Sequence, residues 1–198
     1  MTAPARRAAV FLDKDGTLVE NVPYSADPGE MRLTPGAGEA CRALNRHGFA
    51  LVVVSNQSGV ARGLFDEDAL ITVESRLRTL LGRHGATLED FIYCPHHPEG
   101  SVTAYRQACR CRKPRPGMLF DAAERHRLDL SRSWMVGDIL DDVEAGTRAG
   151  CRSILIDNGN ETEWITAGER RPDFRVPDLP SAAAIITSAS TDNAEAAG

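Results

Sequence analysis

Short runs of apolar residues alternate with segments of helical periodicity along most of the chain. The apolar runs predict buried strands at Ala8–Leu12, Phe49–Val54, Phe91–Tyr93, Trp134–Val136 and Ser153–Ile156. Between them, apolar residues recur every three or four positions, as Leu70, Val73 and Leu77 do on one predicted helix face. The strands are apolar throughout rather than alternating, which is typical of parallel strands covered on both sides. The pattern predicts an α/β fold, a single Rossmann-like three-layer domain with a mostly parallel sheet.

Capping residues and composition predict where elements and the domain end. Thr34 and Pro35 are typical of a helix start, and Gly48 is typical of a helix stop. No stretch between the predicted strands fits a large inserted cap domain. We therefore expect one domain over residues 1–187 and a disordered, Ala- and Ser-rich tail at 188–198.

The overall composition is that of an ordinary globular protein, since 42% of the 198 residues are hydrophobic and 26% are charged. The net charge of -5 disfavours a general nucleic-acid-binding function, which needs a basic surface. No apolar run approaches the length of a membrane span, and no signal peptide is recognisable near Met1. We expect a cytoplasmic, monomeric protein that binds neither nucleic acid nor membranes.

Three polar motifs directly follow predicted strands, and ligands in open α/β sheets bind beyond the carboxyl ends of the strands. The motifs are Asp13-Lys14-Asp15-Gly16-Thr17, Ser55-Asn56-Gln57-Ser58-Gly59 and Gly137-Asp138-Ile139-Leu140-Asp141-Asp142. Each has a purely structural alternative: an aspartate-capped turn, an ordinary Ser/Asn/Gly-rich loop, or acidic residues that cap the next helix. Their common position at one edge of the sheet favours a functional site.

The carboxylates of these motifs predict a magnesium site. The topology places Asp138 near Asp13 and Asp15, and three carboxylates this close repel each other unless a cation holds them. Oxygen-only ligation suits Mg²⁺. Lys113, in the segment Cys-Arg-Lys-Pro, is the cation that would balance the site, and the polar loop that begins at Ser55 can hold phosphate oxygens.

Clustered cysteines predict a second metal site. Three of the five cysteines lie with two histidines in Cys94-Pro95-His96-His97 and Cys109-Arg110-Cys111. Three thiolates and one imidazole suit a closed, structural Zn²⁺, because four protein ligands leave no open position for catalysis. Spacing alone leaves either histidine as the fourth ligand. The zinc loop 94–111 leads directly into Arg112 and Lys113, so we expect it to fix their position.

Together the motifs resemble the haloacid dehalogenase superfamily of phosphatases, through Asp-x-Asp-Gly-Thr, a Ser after the second strand, a later Lys and Gly-Asp-x-x-x-Asp. The resemblance implies that Asp13 is a nucleophile that forms an aspartyl-phosphate. It implies that Asp15 protonates the leaving oxygen and then activates water. Ser55 and Lys113 would hold the phosphoryl group. Asp138 would complete the Mg²⁺ site with Asp13 and the backbone carbonyl of Asp15.

Within the superfamily, the segments Cys-Pro-His-His-Pro, Asn-Gln-Ser-Gly-Val-Ala-Arg-Gly and Cys-Arg-Lys-Pro resemble a zinc-containing branch that removes the C7 phosphate from a heptose 1,7-bisphosphate. This resemblance favours His96 over His97 as the zinc ligand. It implies contacts with a small phosphorylated sugar by Asn21, Val22, Pro23, Tyr24, Ser55, Asn56, Gln57, Ser58, Arg112 and Lys113. Ile139 departs from the branch, in which a lysine is frequent at that position.

Two other functions stay open on the sequence. Histidinol-phosphate phosphatases carry the same zinc loop, but with a shorter stretch between its halves and an Asp at the position of Ser58. A zinc-stabilised binding module without catalysis is the alternative of another class, and the carboxylates of the predicted magnesium site speak against it.

Overall fold

The computed structural model describes residues 6–195, with side chains described up to residue 190. The strands of its sheet are β1 (Ala9–Leu12), β2 (Ala50–Asn56), β3 (Asp90–Cys94), β4 (Trp134–Gly137), β5 (Arg152–Ile156) and β6 (Phe174–Val176). The helices are α1 (Ala37–Arg46), α2 (Glu67–Gly82), α3 (Gly117–His126), α4 (Leu140–Ala149) and α5 (Leu179–Glu195), with 3-10 turns at Leu130–Arg132 and Gly168–Arg170. A single α/β domain with helices on both faces of the sheet confirms the predicted fold class.

All neighbouring strands of the sheet pair in parallel, in the order β3-β2-β1-β4-β5-β6. The chain builds one half of the sheet outward from β1 and then crosses to β4 on the other side of β1. The direction of winding therefore reverses between β1 and β4, and the carboxyl ends of these two strands border the crevice in which such sheets bind ligands. The motifs that begin at Asp13 and Gly137 lie at this crevice.

Alternate residues of the strands supply two hydrophobic layers. Val10 and Leu12 of β1 belong to the layer shared with α1, α2 and α5, whereas Ala9 and Phe11 belong to the layer shared with α3. All four side chains are fully buried. Burying each large apolar side chain contributes roughly 1.5–3 kcal/mol. Close packing on both faces fixes the strand ends and thereby the polar residues that follow them.

Helix α1 begins later than the sequence predicts. Its N-cap is Gly36 rather than Thr34, and the helix starts at Ala37. The Thr34 hydroxyl instead donates a hydrogen bond to the Thr17 carbonyl, 2.8 Å away. This tertiary contact, which ties the loop before α1 to the motif that begins at Asp13, outweighs the capping propensity.

The C-terminal region also differs from the prediction. The sequence pattern predicts neither β6 nor α5, and α5 continues to Glu195, so residues 188–195 are helical rather than a disordered tail. Leu179 and Ile186 anchor the helix, because both are buried in the layer that contains α1. Alanines beyond them continue it readily, since Ala has the highest helix propensity. The predicted disorder of 196–198 lies outside the described residues.

Candidate active site

Lys113 is the buried centre of the site. Its Nζ lies 2.5 Å from Asp13 Oδ1 and 2.6 Å from Asp142 Oδ1, and it donates a hydrogen bond to the Val54 carbonyl at 2.8 Å. Only 2% of Lys113 is exposed. Burial opposes the charged ammonium, but the Asp13 and Asp142 carboxylates outweigh it and raise the pKa of Lys113. The lysine is therefore held in its charged form beside the carboxylate that follows β1.

Contacts from β2 and β4 bring Asp13 and Lys113 together from distant parts of the chain. The Asn56 side chain at the end of β2 accepts a hydrogen bond from Lys113 N at 3.0 Å and donates one to Lys113 O at 3.1 Å. From the other side, Asp13 N donates a hydrogen bond to the Val136 carbonyl of β4 at 2.9 Å. Both functional side chains thus start from backbone that the sheet holds in place.

A carboxylate cluster surrounds the lysine. One oxygen each from Asp13, Asp138 and Asp142 lies within 4.8 Å of the others. Burial, with the charge of Asp13, raises the pKa of Asp138 to about 6. Burial likewise raises the pKa of Asp142 to about 8, although Lys113 acts in the opposite direction. Three carboxylates against one lysine leave an excess of negative charge, and such a set of oxygen ligands fits Mg²⁺.

Asp142, the last residue of the Gly-Asp-x-x-x-Asp motif, is a site residue without a predicted role of its own. It lies in the first turn of α4, where an acidic residue is expected simply to stabilise the helix start. Its Oδ2 does accept a hydrogen bond from Ile139 N at 3.3 Å, but its other oxygen pairs with Lys113. The motif Gly-Asp-x-x-x-Asp is the sequence signal for Asp142, and the contact with Lys113, made by a distant loop, distinguishes it from a simple cap. The Asp15 side chain is not in the cluster, and the ligand atom predicted from Asp15 is its backbone carbonyl oxygen.

Asp15 lies among polar side chains. Its Oδ1 is 2.9 Å from the ammonium of the buried Lys14, and its Oδ2 accepts a hydrogen bond from Gln57 Nε2 at 3.3 Å. Gln57 Nε2 also donates to Ser55 Oγ at 2.7 Å. Burial raises the pKa of Asp15, whereas Lys14 lowers it and Asp13 raises it further. A carboxyl group with a raised pKa keeps its proton more readily, as a general acid must.

A cavity of about 280 Å³ adjoins Asp15. Its walls come from the loops after β1 and β2: Asp15, Asn21, Val22, Pro23, Tyr24, Ser25, Asn56, Gln57, Ser58, Gly59 and Phe65. The structure thus brings together seven of the ten predicted substrate contacts, while Ser55, Arg112 and Lys113 lie outside the lining. Three lining residues, Ser25, Gly59 and Phe65, are not among the predicted site residues. A Cβ at Gly59 would come within 2.2 Å of the Phe65 ring, so only glycine lets this ring close the cavity.

The predicted zinc ligands also converge: Cys94, His96, Cys109 and Cys111. The three sulfur atoms are 3.1, 3.2 and 3.4 Å apart, and His96 Nδ1 lies 3.5 Å from Cys111 Sγ. A tetrahedral zinc with Zn–S bonds of about 2.3 Å needs ligands at nearly this spacing. The contact between Cys94 and Cys111 lowers the pKa of Cys111 to about 5 and, with burial, raises the pKa of Cys94. All three sulfurs can be ionised at this distance only beside a cation, so the residues fit Zn²⁺.

Of the two candidate histidines, the structure places His96 in this cluster. His97 lies outside the cluster. Its Nε2 is 3.4 Å from Arg62 Nη2, and its Nδ1 accepts a hydrogen bond from Glu99 N at 3.1 Å. Burial lowers the pKa of His97, and so do the charges of Arg112 and Arg62. Nη1 of Arg112 is buried without a hydrogen-bond partner among the described residues. The Arg112 guanidinium therefore lies beside the zinc loop with hydrogen-bonding capacity that no described residue uses.

The loop after β5 contributes two asparagines that the sequence analysis misses. Asn160 Nδ2 donates a hydrogen bond to Asp138 Oδ2 at 2.6 Å, and Asn158 Nδ2 donates one to the Gly16 carbonyl at 2.6 Å. Gly16 has a φ of 82°, and a Cβ there would lie 2.0 Å from Asp138 Oδ2, so only glycine permits this approach. No local signal marks the asparagines, because Asn-Gly-Asn is typical of any turn.

Comparisons with known proteins agree with this geometry. A family model described as HAD-hydrolase-like matches residues 110–182. The chain is 44% identical over 151 residues to a D-glycero-beta-D-manno-heptose-1,7-bisphosphate 7-phosphatase of Rhodopseudomonas palustris, covering 76% of this chain and 84% of the relative. It is 38% identical to a protein of the same name from Yersinia pestis, covering 88% and 94%. Among solved structures, the chain is similar to D,D-heptose 1,7-bisphosphate phosphatase from B. bronchiseptica, whose crystal structure is complexed with magnesium and phosphate. The TM-score is 0.75 and the sequence identity is 30%, and the match covers 92% of this chain and 99% of that chain.

Proposed function

Because the chain belongs to the D-glycero-beta-D-manno-heptose-1,7-bisphosphate 7-phosphatase family of HAD-like hydrolases, we propose that it removes the C7 phosphate of D-glycero-D-manno-heptose 1,7-bisphosphate. The observation that carries the proposal is the buried pair of Asp13 and Lys113, flanked by Asp138 and Asp142 at the crevice between β1 and β4. A nucleophilic carboxylate, a fixed cation and a carboxylate cluster are the parts that phosphoryl transfer through a covalent intermediate requires.

Asp13 acts as the nucleophile in this proposal. One of its carboxylate oxygens attacks the C7 phosphorus, the bond from phosphorus to the sugar oxygen breaks, and an aspartyl-phosphate forms. The ammonium of Lys113, 2.5 Å from Asp13 Oδ1, offsets the negative charge of the phosphoryl oxygens. Asp142 and the Val54 carbonyl keep the ammonium in place.

Asp15 carries the protons of both half-reactions. In the first it is protonated, as its raised pKa favours, and gives its proton to the departing C7 oxygen. In the second its carboxylate takes a proton from water, which attacks the phosphorus, releases phosphate and regenerates Asp13. Lys14 at 2.9 Å and Gln57 at 3.3 Å orient the two oxygens of Asp15 for these transfers.

The magnesium site in this proposal consists of the Asp13 and Asp138 carboxylates and the Asp15 carbonyl. When bound, Mg²⁺ supplies positive charge to the transferring phosphoryl oxygens. The fit rests on the clustered carboxylates and on the raised pKa of Asp138, because a cation stabilises the ionised form that burial disfavours. Magnesium in the B. bronchiseptica crystal structure supports the same choice of ion.

The zinc site has a structural role in this proposal, with Cys94, His96, Cys109 and Cys111 as ligands. Four protein ligands leave no position for substrate. Arg112 N donates a hydrogen bond to Cys109 Sγ at 3.4 Å, so the loop that the ion would fix continues directly into Lys113. Zinc would therefore act on catalysis by holding that lysine's backbone in register with Asn56.

The substrate contacts divide between two ends of the sugar. The 280 Å³ cavity beside Asp15 suits a small sugar, and its polar walls at Asn21–Tyr24 and Asn56–Ser58 can hydrogen-bond hydroxyl groups. The half-buried Arg112 carries a guanidinium, which can hold the second phosphate with two hydrogen bonds. Ile139 carries no charge, so Arg112 is the principal group for the second phosphate in this proposal.

A substrate panel tests the proposal. We expect the beta anomer of the heptose bisphosphate to have the highest kcat/KM, exceeding histidinol phosphate and fructose bisphosphate by at least about 10²-fold because unmatched polar groups are rejected strongly. The alpha anomer is included to measure the anomeric preference. A higher kcat/KM for histidinol phosphate would overturn the substrate, and no Mg²⁺-dependent hydrolysis of any compound would favour the zinc-stabilised binding module.

The cellular setting is part of the proposal. No helix in the described part of the chain is long and apolar enough to cross a membrane. We propose that the enzyme works in the cytoplasm as a monomer, on a small phosphorylated sugar and without a nucleic-acid or membrane partner. Light scattering coupled to gel filtration would reveal a dimer if the monomeric state is wrong.

A further inference from the structure

We propose that Asn160 is a positioning residue for the magnesium site and that the turn from Asn158 to Asn160 sets the affinity of that site for the cation. The inference rests on the proposed function, because it concerns the cation of that reaction. In this inference Asn160 contacts neither the substrate nor the reacting atoms, and it acts on the cation through Asp138.

The hydrogen bond to Asp138 is the first observation. Asn160 Nδ2 lies 2.6 Å from Asp138 Oδ2, and only 4% of Asp138 is exposed. Because Oδ2 accepts this bond in a site with little room for water, the carboxylate plane cannot rotate freely. One Asp138 oxygen lies within 4.8 Å of an Asp13 oxygen and an Asp142 oxygen, so the orientation that this hydrogen bond fixes is one that places Asp138 in the cluster. Hydrogen bonds to ligating carboxylates tune metal affinity in this way.

The chemistry of the donor is the second observation. Asn160 offers a neutral amide, so it fixes Asp138 without cancelling its negative charge. A lysine or arginine at this position would compete with a divalent cation for the same carboxylate. An amide donor therefore preserves the electrostatic attraction of the cluster for the ion.

The support of Asn160 is the third observation. Asn160 N donates a hydrogen bond to Asn158 Oδ1 at 3.2 Å, and Asn158 Nδ2 donates one to the Gly16 carbonyl at 2.6 Å. On the other side, Glu161 Oε2 accepts a hydrogen bond from Leu140 N at 2.5 Å, at the start of α4. One short loop thus joins the segment that carries Asp13 and Asp15 to the segment that carries Asp138 and Asp142. Ligands from two strands are held at a fixed separation before the ion arrives.

Magnesium binding without substrate tests the inference. The dissociation constant for Mg²⁺ is measured calorimetrically on the full chain, with zinc retained, for wild type, Asn160→Ala, Asn158→Ala and Thr162→Ala. We expect Asn160→Ala to weaken binding by about 10-fold or more, as loss of a hydrogen bond to a metal ligand does. Asn158→Ala should weaken it less, since it loosens only the support. Thr162→Ala is the matched control, because Thr162 is exposed on the same loop and has no described contact with the cluster.

The inference would be overturned if the dissociation constant for Mg²⁺ changed less than twofold in both asparagine variants, or if it changed equally in Thr162→Ala. If Asn160→Ala does not fold, Asn158→Ala decides alone against the same control. Saturating Mg²⁺ should restore kcat in the folded asparagine variants, which a mispositioned nucleophile would not allow. Failure of the wild type to bind Mg²⁺ would instead contradict the proposed magnesium site, so the two failures are distinguishable.

Discussion

At the scale of single residues, the buried Lys113 is explained by chemistry rather than by stability. Removing an ammonium and two carboxylates from water costs several kcal/mol per ion before their attraction is counted. Well-packed apolar residues in the positions of Lys113, Asp13 and Asp142 are expected to be at least as stable. In the proposed mechanism the arrangement has a purpose, because a phosphoryl group needs a fixed positive charge next to the nucleophile.

Replacement of this lysine should reduce activity and stability together. Lys113→Met removes the charge that stabilises the transition state, so we expect kcat to fall by about 10²-fold or more. It also leaves the fully buried Asp142 without its partner, which should lower the free energy of unfolding by about 2–4 kcal/mol. Adding Asp142→Leu should recover stability without recovering kcat. Denaturant titration measures the free energy of unfolding, and steady-state kinetics measures kcat. A Lys113→Met variant as stable as wild type would contradict the role of the pair formed by Lys113 and Asp142.

Lys14 should set the upper pH limit of the reaction. Its charge lowers the pKa of Asp15, so Lys14→Met should raise that pKa further. Because the proposed first step needs protonated Asp15, kcat/KM falls as pH rises through this pKa. The basic limb of the pH profile should therefore move to higher pH in Lys14→Met and stay in place in the charge-conserving control Lys14→Arg. A shift to lower pH would rule out Asp15 as the acid.

Arg112 and Lys113 should fail in different ways. Arg112→Ala should reduce kcat/KM for the heptose bisphosphate far more than for a sugar monophosphate, by about 10-fold or more, because a charge-assisted contact to the second phosphate is lost. The loss from removing Lys113 should be the same on both substrates and lie mainly in kcat. Equal losses for Arg112→Ala on both would remove the case for a bisphosphate and make histidinol phosphate the leading substrate.

At the scale of elements, the two predicted metals should differ in exchange. Oxygen ligands release Mg²⁺ more readily than three thiolates release Zn²⁺, so brief EDTA treatment followed by Mg²⁺ should restore activity. Elemental analysis should find about one zinc per chain, as a single four-ligand site implies. Cys109→Ser should lose this zinc and much of the activity. Carefully purified wild-type protein without zinc would contradict the assignment.

Strands and helices that are marked by a continuous run of residues could be predicted from the sequence. Elements that depend on contacts between distant residues could not. The strands that lead into Asp13 and Asp138 are continuous apolar runs followed by acidic motifs, so both their existence and the common edge follow from the pattern. By contrast, β6 has only three residues, Phe174–Val176, too few to establish a period. The cap at Gly36 could not be read locally, because Thr34 makes its hydrogen bond to a residue far away in sequence.

The same reason separates the predicted site residues from the missed ones. Cysteine is a metal ligand by residue type, so the clustering of Cys94, Cys109 and Cys111 alone predicts a metal site. Asp142 is the last residue of the Gly-Asp-x-x-x-Asp motif, but the sequence does not show its contact with Lys113. Asn160 is an ordinary turn residue in sequence, and only the fold shows that it contacts Asp138. The contact of a polar residue with a distant tertiary partner cannot be predicted from the residues next to it in sequence.

At the scale of the whole molecule, one parallel sheet gathers the site from the ends of five strands. β1 leads to the segment with Asp13 and Asp15, β2 ends at Asn56, the chain after β3 carries Lys113, β4 leads to Asp138 and β5 leads to Asn160. Because these segments leave strands that are packed on both faces, the proposed ligands and the proposed proton carrier should need little rearrangement when substrate arrives. The described residues include no separate cap domain, so the cavity walls must come from the loops after β1 and β2.

Phosphorus NMR of the heptose bisphosphate, in the presence of wild-type enzyme and of Asp13→Asn, tests the proposed reaction most directly. Wild type should release the C7 phosphate while the C1 phosphate stays on the sugar. Asp13→Asn, which retains the size of the side chain but lacks the nucleophilic carboxylate, should fold normally and slow the reaction by at least about 10³-fold. Release of the C1 phosphate instead, or near-normal turnover by Asp13→Asn, would contradict it.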